Sequence, residues 1–360
     1  MANGNWFTVS RPTRLLIAHV ELGDDKRNEK GTAMDYVNLG KTGVKVSRIC
    51  LGAMTYGSKQ WRDWVLEEKE ATPFIAQALN AGINFFDTAD VYSNGVSEEI
   101  VGRAIKALVA DREDVVIATK CFNGTENRKL NRWGLSRKHI LDACDRSLKR
   151  LGLEYIDLYQ IHRFDQQTPM EETLEALHDL VKCGKVRYIG ASSMSAWQFA
   201  KFLYLADLHG WTRFVTMQNH YNLVYREEER EMIPLCQAEQ VGCLPWSPLA
   251  RGFLAGNRTK SGEKTLRAKT DDFGKRLYGS DDDFAVADRN ASVAKKLGVK
   301  PVQLALAWVL ANPSVTAPII GASKIEHLQD ALDALKIEIS ESDKAGLEEL
   351  YQPHSVLGIA

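Results

Sequence analysis

The fold is decided by the stretch "INFFDTADVYSNGVSEEIVGRAIKALVADREDVVIATK", residues 83–120. A short apolar run ends at Asp87, an amphipathic run with acidic residues at its start follows, and a second apolar run ends at Lys120. This pattern predicts a strand, a helix and a second strand. Two apolar strands joined through a helix pair in parallel, in a sheet whose faces are both covered.

The same alternation continues along the chain from Met34. Eight segments have the composition of buried strands, and each precedes a helical pattern: 48–52, 83–89, 114–120, 156–162, 186–193, 214–221, 242–249 and 316–321. Eight such units predict an α/β fold of the (β/α)8 TIM-barrel type. We expect "YVNLGKTGVKVS" to form an N-terminal β-hairpin at the barrel bottom and residues 250–285 to form a long polar insertion after strand seven.

Composition limits the class of protein. The net charge is -1, from 46 Lys and Arg against 47 Asp and Glu, and gives no electrostatic reason to expect binding to nucleic acid or a membrane. The six cysteines are scattered without a C-x-x-C pair, so we expect no disulfide framework or zinc knuckle and a reducing, cytoplasmic location. No apolar run approaches the roughly 20 residues of a membrane span.

The first 33 residues differ from the rest of the chain. They include a charged segment without periodicity, "ELGDDKRNEKGTA", which predicts a disordered extension. We expect either that Met34 is the natural start of the protein or that residues 1–33 are a dispensable tail. Residues 34–360 are expected to form one domain.

A Rossmann fold is the main alternative for an α/β chain of this length. Its G-x-G-x-x-G fingerprint between a strand and a helix is missing from the sequence, as is a P-loop. In a barrel the polar groups at the carboxyl ends of the strands gather at one mouth, where catalytic residues occur. A single polar residue at a strand end is more often a cap or a turn residue. A catalytic role is therefore indicated only when other polar residues stand at neighbouring strand ends.

Four polar residues follow the second, third and fourth predicted strands: Asp87, Tyr92, Lys120 and His162. A barrel brings Asp87 beside Lys120, whose ammonium can then lie beside the Tyr92 hydroxyl. Free tyrosine has a pKa of about 10, which makes it a weak proton donor at neutral pH. A neighbouring cation favours the phenolate form and strengthens the acid. With His162 orienting a carbonyl oxygen, the set suits proton donation during hydride transfer to a carbonyl group.

The chain resembles the aldo-keto reductase superfamily over residues 34–355, through "FFDTADVY", "VVIATK", "YQIHR", "YIGASS", "SPLARGFLAG" and "PIIGAS" in that order. It is most similar to the bacterial and fungal reductases related to potassium-channel β subunits. The resemblance implies a barrel that binds NADPH without a Rossmann domain. It also implies that Tyr92 is the general acid, that Lys120 and Asp87 tune it and that His162 orients the substrate.

The resemblance also implies which residues bind the cofactor. They are Gly52, Ala53, Met54, Asp87, Ser192, Ser193, Gln218, Trp246, Ser247, Pro248, Leu249, Ala250, Arg251, Arg267, Gly321, Ser323, Lys324, His327 and Asp330. Trp246 offers a flat face for the nicotinamide ring, and the insertion could cover the cofactor, although Arg267 could equally be a solvated surface charge. Ser323 and Lys324 favour NADPH, while NADH remains usable because Ala331 stands where the family often has asparagine.

Six residues beyond the strand ends are candidates for the substrate pocket: Tyr56, Trp61, Phe122, Trp133, Arg163 and Asn219. The aromatic residues suggest aldehydes or ketones with apolar or ring-containing bodies, although Trp61 and Trp133 could simply be lid packing. Arg163 could hold an anionic substrate group or could pair with Asp165.

Two other functions stay open. One is a cofactor-binding regulatory or scaffold subunit of the channel-β type with low turnover, against which the four intact residues argue. The other is a metal-dependent barrel hydrolase, but the eight histidines are too scattered for a metal site. The partner expected is a small carbonyl compound, and an oligomer is possible.

Overall fold

The computed structural model describes residues 34–125, 129–260 and 262–358. The predicted extension, residues 1–33, lies outside the described residues. The barrel strands are β3 (Cys50–Gly52), β4 (Phe85–Asp87), β5 (Val116–Cys121), β6 (Ile156–Ile161), β7 (Val186–Ser192), β8 (Phe214–Gln218), β9 (Gly242–Cys243) and β12 (Ile319–Ile320). Two antiparallel pairs accompany them: β1 (Tyr36–Asn38) with β2 (Lys45–Ser47), and β10 (Arg258–Thr259) with β11 (Gly262–Glu263).

The barrel strands form one parallel sheet in the order β12-β3-β4-β5-β6-β7-β8-β9. Its two outer strands meet through parallel bridges between Cys243 and Val315 and between Trp246 and Ile319. Backbone hydrogen bonds support this contact, among them Thr316 N–H to the Cys243 carbonyl at 2.9 Å. The sheet therefore closes on itself, and the predicted (β/α)8 barrel with its N-terminal hairpin is confirmed.

Helices surround this sheet. They are α1 (Glu68–Asn80), α2 (Val96–Leu108), α3 (Arg137–Leu151), α4 (Met170–Lys182), α5 (Ala196–His209), α6 (Met232–Ala238), α7 (Leu266–Thr270), α8 (Asp272–Leu277), α9 (Asp281–Leu297), α10 (Pro301–Leu310), α11 (Ile325–Ala334) and α12 (Glu341–Glu348). The caps predicted for α3 are present: Ser136 Oγ accepts the His139 N–H, and Gly152 ends the helix with a φ of 62°.

The polar insertion has more secondary structure than its composition predicted. Residues 250–285 contain the β10–β11 pair, α7, α8 and the start of α9. Asp271 joins α7 to α8, because its carboxylate accepts the Gly274 N–H as an N-cap at 3.1 Å. Short helices held by side-chain caps explain why hydrophobic periodicity did not reveal this structure.

The barrel interior is built from alternate residues of the strands. Phe85, Val116, Leu158, Leu244 and Ala317 form an apolar cluster inside it. The next inward-facing positions on β4 and β6 are Asp87 and Gln160, and together with Gln218 of β8 they form a polar layer above the apolar one.

Glycine at position 190 leaves room for this polar layer. A Cβ atom there would lie 2.3 Å from Thr216 Oγ1 and 3.0 Å from Gln160 Cγ. No helix in the described ranges is long and apolar enough to cross a membrane.

Candidate active site

A buried ion pair stands at the centre of the barrel mouth. Lys120 Nζ lies 2.5 Å from Asp87 Oδ1 and also donates to the Thr88 carbonyl oxygen at 2.8 Å. The side chains of Lys120 and Asp87 are only 0% and 2% exposed. Two buried charges are tolerated only when they are paired and hydrogen-bonded, so this contact fixes both side chains.

The second oxygen of Asp87 is held by two amides. Gln160 Nε2 and Gln218 Nε2 each donate to Asp87 Oδ2 at 3.0 Å, and Gln218 also donates to Gln160 Oε1 at 3.2 Å. Sequence reasoning missed Gln160 and assigned Gln218 to the cofactor. The signal for Gln160 was a polar residue at an inward-facing position of an otherwise apolar strand.

Tyr92 lies over this ion pair. Lys120 Nζ is 3.3 Å from Tyr92 Oη and 4.8 Å from the centroid of its ring. Burial alone would lower the pKa of Lys120, but Asp87 and Tyr92 raise it above its ordinary value. Lys120 is therefore an ammonium at physiological pH, and its charge lies beside the Tyr92 hydroxyl.

His162 follows β6 and completes the predicted set of four residues. Its ring meets the Tyr92 ring edge-on with centroids 5.8 Å apart. Burial, with the charges of Arg163 and Lys120, holds the pKa of His162 well below 6.5. A neutral imidazole can donate a hydrogen bond to a carbonyl oxygen without carrying a charge.

The loop that carries Tyr92 is constrained from both sides. Ser93 and Asn94 have positive φ angles of 49° and 54°, which are rare for residues other than glycine. Ser93 Oγ accepts the Ser58 N–H at 3.2 Å, and Ser97 Oγ donates to the Ala53 carbonyl at 2.8 Å. Uncommon backbone angles held by surrounding contacts often occur at functional sites.

A second ion pair, between Glu98 and Arg150, lies next to the loop that carries Tyr92. Glu98 on α2 accepts hydrogen bonds from Thr119 Oγ1 on β5 and from Arg150 Nε on α3, both at 2.6 Å. Thr119 directly precedes Lys120, so this network connects the helix after Tyr92 to the strand that carries the lysine. Burial and the nearby Glu98 raise the pKa of Asp90 in the same loop to about 7.

Trp246 ends a stack of three aromatic rings. His220 lies between Tyr225 and Trp246, with centroids 4.1 Å from each and interplanar angles of 11° and 10°. Trp246 Nε1 donates to Ser193 Oγ at 2.9 Å, and the indole remains partly exposed. One indole face is thus covered by His220, which sequence reasoning missed, and the ring orientation is fixed.

Arginines of the insertion gather around one carboxylate. Arg251 Nε lies 2.5 Å and Arg267 Nε 3.4 Å from Asp271 Oδ2, and Arg62 reaches Asp271 Oδ1 at 3.9 Å. Arg267 also lies 4.4 Å over the Trp64 ring, so it is not a freely solvated charge. Three cations share one buried anion, which leaves an excess of positive charge beside the mouth.

Residues 247–251, which are predicted to bind the cofactor, lead directly into this cluster through Arg251. Ser247, Ala250 and Arg251 have positive φ angles of 53°, 47° and 56°. The remaining members of the segment predicted to bind the cofactor, Pro248 and Leu249, lie between them.

The other predicted cofactor residues divide into two groups. Gly52 ends β3 in register with Asp87, and Ala53 and Met54 follow it, so the three lie at the mouth. Ser192 ends β7 and Ser193 follows it, with their hydroxyl oxygens 3.2 Å apart.

The residues around α11 form the second group. Gly321, Ser323 and Lys324 precede the helix, and His327 Nδ1 accepts the Ser323 N–H at 3.4 Å. Asp330, which is also predicted to bind the cofactor, has hydrogen-bond partners within the fold. It is buried and bonded to Lys300 Nζ at 2.8 Å and Gln303 Nε2 at 2.9 Å, so it joins α10 to α11.

The predicted pocket residues also divide. Tyr56 is fully buried and stacks on Phe74 of α1, and Asn219 is buried beside Glu228, so neither forms the wall of the mouth. Both were misassigned because a loop position does not show which way its side chain points. The partly exposed ones are Trp61, Phe122, Trp133 and Arg163.

An open groove of about 430 Å³ adjoins the mouth. Residues 61–64 line one side, and Thr270, Asp272, Phe273 and Arg276 line the other. Phe122 and Trp133 meet edge-on, with centroids 6.1 Å apart. The described residues contain no group of three His, Cys, Asp or Glu side chains arranged for a metal ion.

Comparison with known proteins agrees with this geometry. The model of the "Aldo/keto reductase family" matches residues 48–352. The chain is 45% identical over 342 residues to versiconal hemiacetal acetate reductase of Aspergillus parasiticus, covering 90% of this chain and 98% of that protein. It is 46% identical over 345 residues to a putative aryl-alcohol dehydrogenase of Schizosaccharomyces pombe, with coverage of 90% and 97%. An aldo-keto reductase of Fusarium vanettenii is 44% identical over 350 residues, with coverage of 91% and 94%.

Proposed function

Because this chain belongs to the aldo/keto reductase family, we propose that it reduces aldehydes and ketones to alcohols with NADPH. The observation that carries the proposal is the contact of Tyr92 Oη with Lys120 Nζ at 3.3 Å, with Lys120 held in turn by Asp87. This pairing provides a proton donor supported by a fixed positive charge. Carbonyl reduction in general agrees with the names of the relatives.

We assign each of the four residues one role. Tyr92 donates the proton that the carbonyl oxygen takes up as it becomes an alkoxide. Lys120 stabilises the phenolate that remains, and Asp87 keeps the ammonium in position. His162, neutral because burial lowers its pKa, donates a hydrogen bond that orients the carbonyl oxygen.

The residues present fit a dinucleotide. When bound, the reduced nicotinamide supplies the hydride. Trp246 would stack on the nicotinamide ring, and Ser192 and Ser193 would contact its carboxamide. Arg251 and Arg267 would neutralise the diphosphate, because the arginine cluster around Asp271 carries excess positive charge.

Preference for NADPH over NADH rests on the start of α11. The N–H groups of a helix N-terminus attract anions, and the exposed Lys324 adds a positive charge for the 2′-phosphate. Glu326 in the first turn opposes this attraction. We therefore propose NADPH as the preferred cofactor with measurable use of NADH.

We extend the proposal to the organisation of the chain. Residues 34–360 act as one domain in the cytoplasm, with a small carbonyl compound as the ligand. The relationship to channel β subunits stays a prediction.

The test is NADPH oxidation in the presence of 4-nitrobenzaldehyde, with identification of the product. Stoichiometric formation of 4-nitrobenzyl alcohol is the expected result. NADPH binding without alcohol formation from any member of a panel of aldehydes and ketones would instead favour a cofactor-binding regulatory subunit.

A further inference from the structure

Arg163 is a cation at the mouth without a carboxylate partner among the described residues. It follows His162 at the end of β6, and its Nη1 donates to the His162 carbonyl oxygen at 2.7 Å. A guanidinium has five N–H donors, so most of them remain for another group. The side chain is partly buried, and this loss of solvent lowers the pKa of Arg163.

The acidic residue nearest to Arg163 in sequence is occupied elsewhere. Asp165 Oδ2 accepts the Leu135 N–H and the Thr168 hydroxyl, both at 2.8 Å, and Oδ1 accepts the Gln167 N–H at 2.9 Å. The alternative in which Asp165 neutralises Arg163 is therefore wrong. A partly desolvated cation without a counter-ion is stabilised when an anion binds beside it.

The charge of Arg163 acts across the mouth. Burial lowers the pKa of His220, behind Trp246, to about 3, and Arg251 and Arg163 contribute to that shift. Besides burial, the charge of Arg163 also lowers the pKa of His162. A charge interaction with Tyr92 partly offsets the lowering of the Arg163 pKa by burial. The guanidinium thus lies on the side of the mouth that carries His162 and Tyr92.

Aromatic rings lie beside this position. The His162 N–H donates to the Cys121 carbonyl oxygen at 2.9 Å, so the ends of β5 and β6 are neighbours. Phe122 follows Cys121 and Arg163 follows His162, and the two residues therefore leave adjacent strand ends. Phe122 meets Trp133 edge-on, and both are partly exposed. This pair suits the ring of an aromatic substrate.

We propose that Arg163 binds the carboxylate of a 2-oxo acid with an aromatic body, whose ketone oxygen lies between Tyr92 and His162. This inference rests on the proposed function. Arg163 and His162 are consecutive, and the guanidinium stays bonded to the His162 carbonyl, so the anion within reach is one attached next to the ketone. A guanidinium binds a carboxylate with two parallel hydrogen bonds, which fixes the ketone orientation.

The reaction leaves the carboxylate unchanged. The ketone carbon gains a hydride from the reduced nicotinamide, which becomes oxidised, and the ketone oxygen gains a proton from Tyr92. The C=O π bond breaks, a C–H and an O–H bond form, and the product is a 2-hydroxy acid. Tyr92 recovers its proton from solvent.

The experiment compares phenylglyoxylate with its methyl ester. It measures kcat/KM with NADPH, and the Kd of each compound for the NADP⁺-loaded protein, where no turnover occurs. We expect the unaltered protein to prefer the acid and Arg163→Met to lower the acid-to-ester ratio about 10- to 100-fold in both measurements. Arg276→Met is the matched control, an exposed groove arginine near Phe273 whose loss should leave the ratio unchanged.

Three outcomes would overturn the inference. The first is no preference of the unaltered protein for the acid, a result that needs no variant to fold. The second is an unchanged ratio in Arg163→Met, and the third is an equal loss in Arg276→Met, which would place the anion in the groove. Reduction of the ester without acid preference would leave the proposed function intact, whereas failure to reduce either compound or any aldehyde would contradict the proposed function itself.

Discussion

Lys120 Nζ lies 3.3 Å from Tyr92 Oη at a position where its own side chain is 0% exposed. A lysine at such a position keeps its charge because Asp87 Oδ1 is 2.5 Å away. The positive charge beside the phenol is therefore maintained by a carboxylate on the neighbouring strand. Asp87 in this way supports Lys120, and Lys120 lies beside Tyr92.

Substitution Lys120→Met should abolish efficient reduction and destabilise the protein. Loss of the charge that supports the acid should lower kcat by about 10²- to 10⁴-fold. Removal of one member of a buried pair leaves Asp87 uncompensated and should reduce the free energy of unfolding by about 3–5 kcal/mol. Steady-state kinetics and denaturant unfolding measure the two effects.

The double variant Asp87→Asn/Lys120→Met separates activity from stability. It removes both charges, so much of the stability should return while kcat stays low. Recovery of activity along with stability would show that Lys120 acts only on folding.

Substitution Gln160→Leu should lower the free energy of unfolding while the other hydrogen bonds to Asp87 remain. It removes one of the two amide donors to Asp87 Oδ2, while Gln218 still donates to that oxygen and Lys120 still donates to Oδ1. A hydrogen bond to a charged group contributes about 1.5–3 kcal/mol, so the free energy of unfolding should fall by that amount. Chemical denaturation of this variant beside Gln166→Leu, which replaces an exposed glutamine, gives the comparison; equal stability of the two would contradict the role of Gln160.

Folding stability should have a maximum near pH 6.5. The fold lowers the pKa of His139 to about 4 and of His220 to about 3, chiefly through burial, and burial also holds the pKa of His162 well below its ordinary value. Below about pH 6.5 the unfolded chain binds protons that the folded chain does not, so stability falls as the pH falls. Thermal unfolding across this range measures the loss.

Above pH 6.5 two buried carboxyl groups act in the opposite direction. Burial raises the pKa of Asp90 to about 7 and of Glu228 to about 8. The folded chain then holds protons that the unfolded chain has released, so stability falls as the pH rises through these values. Glu228→Gln should flatten the decline between about pH 7 and 8, whereas the exposed control Glu341→Gln should not; parallel curves for the two would refute the assignment.

Substitution Lys324→Met should reduce the preference for NADPH. The lysine precedes α11, and loss of one charge-assisted contact with the 2′-phosphate should raise the KM for NADPH about tenfold or more, with little effect on NADH. Lys336→Met, after the other end of the same helix, is the control. A preference of tenfold or better for NADH in the unaltered protein would contradict the cofactor assignment.

Strand ends could be predicted from sequence because the barrel strands are mostly apolar up to the residue that faces the mouth. Asp87, Lys120 and His162 each end such a run, and parallel pairing brings them together. Gln160 was missed because a single amide within an apolar strand resembles a tolerated core residue. Its partner, Asp87 Oδ2, is 73 residues away in sequence.

Loop side chains could not be predicted in the same way. Tyr56 and Asn219 lie just beyond strand ends but turn into the core, and the bonds of Asp330 to Lys300 and Gln303 were not foreseen. The Asp271 cluster was also invisible, since it joins arginines from two loops through one carboxylate. Periodicity describes regular elements, whereas these contacts depend on the tertiary path of irregular segments.

The central claim, that Tyr92 donates the proton, is tested most directly by kcat for 4-nitrobenzaldehyde with NADPH in Tyr92→Phe. The phenyl ring keeps the edge contact with His162, so unfolding temperature and NADPH binding should match those of the unaltered protein. We predict that kcat falls by about 10²- to 10⁴-fold, the range for loss of a general acid. A fully active Tyr92→Phe variant with unchanged cofactor binding would contradict the account.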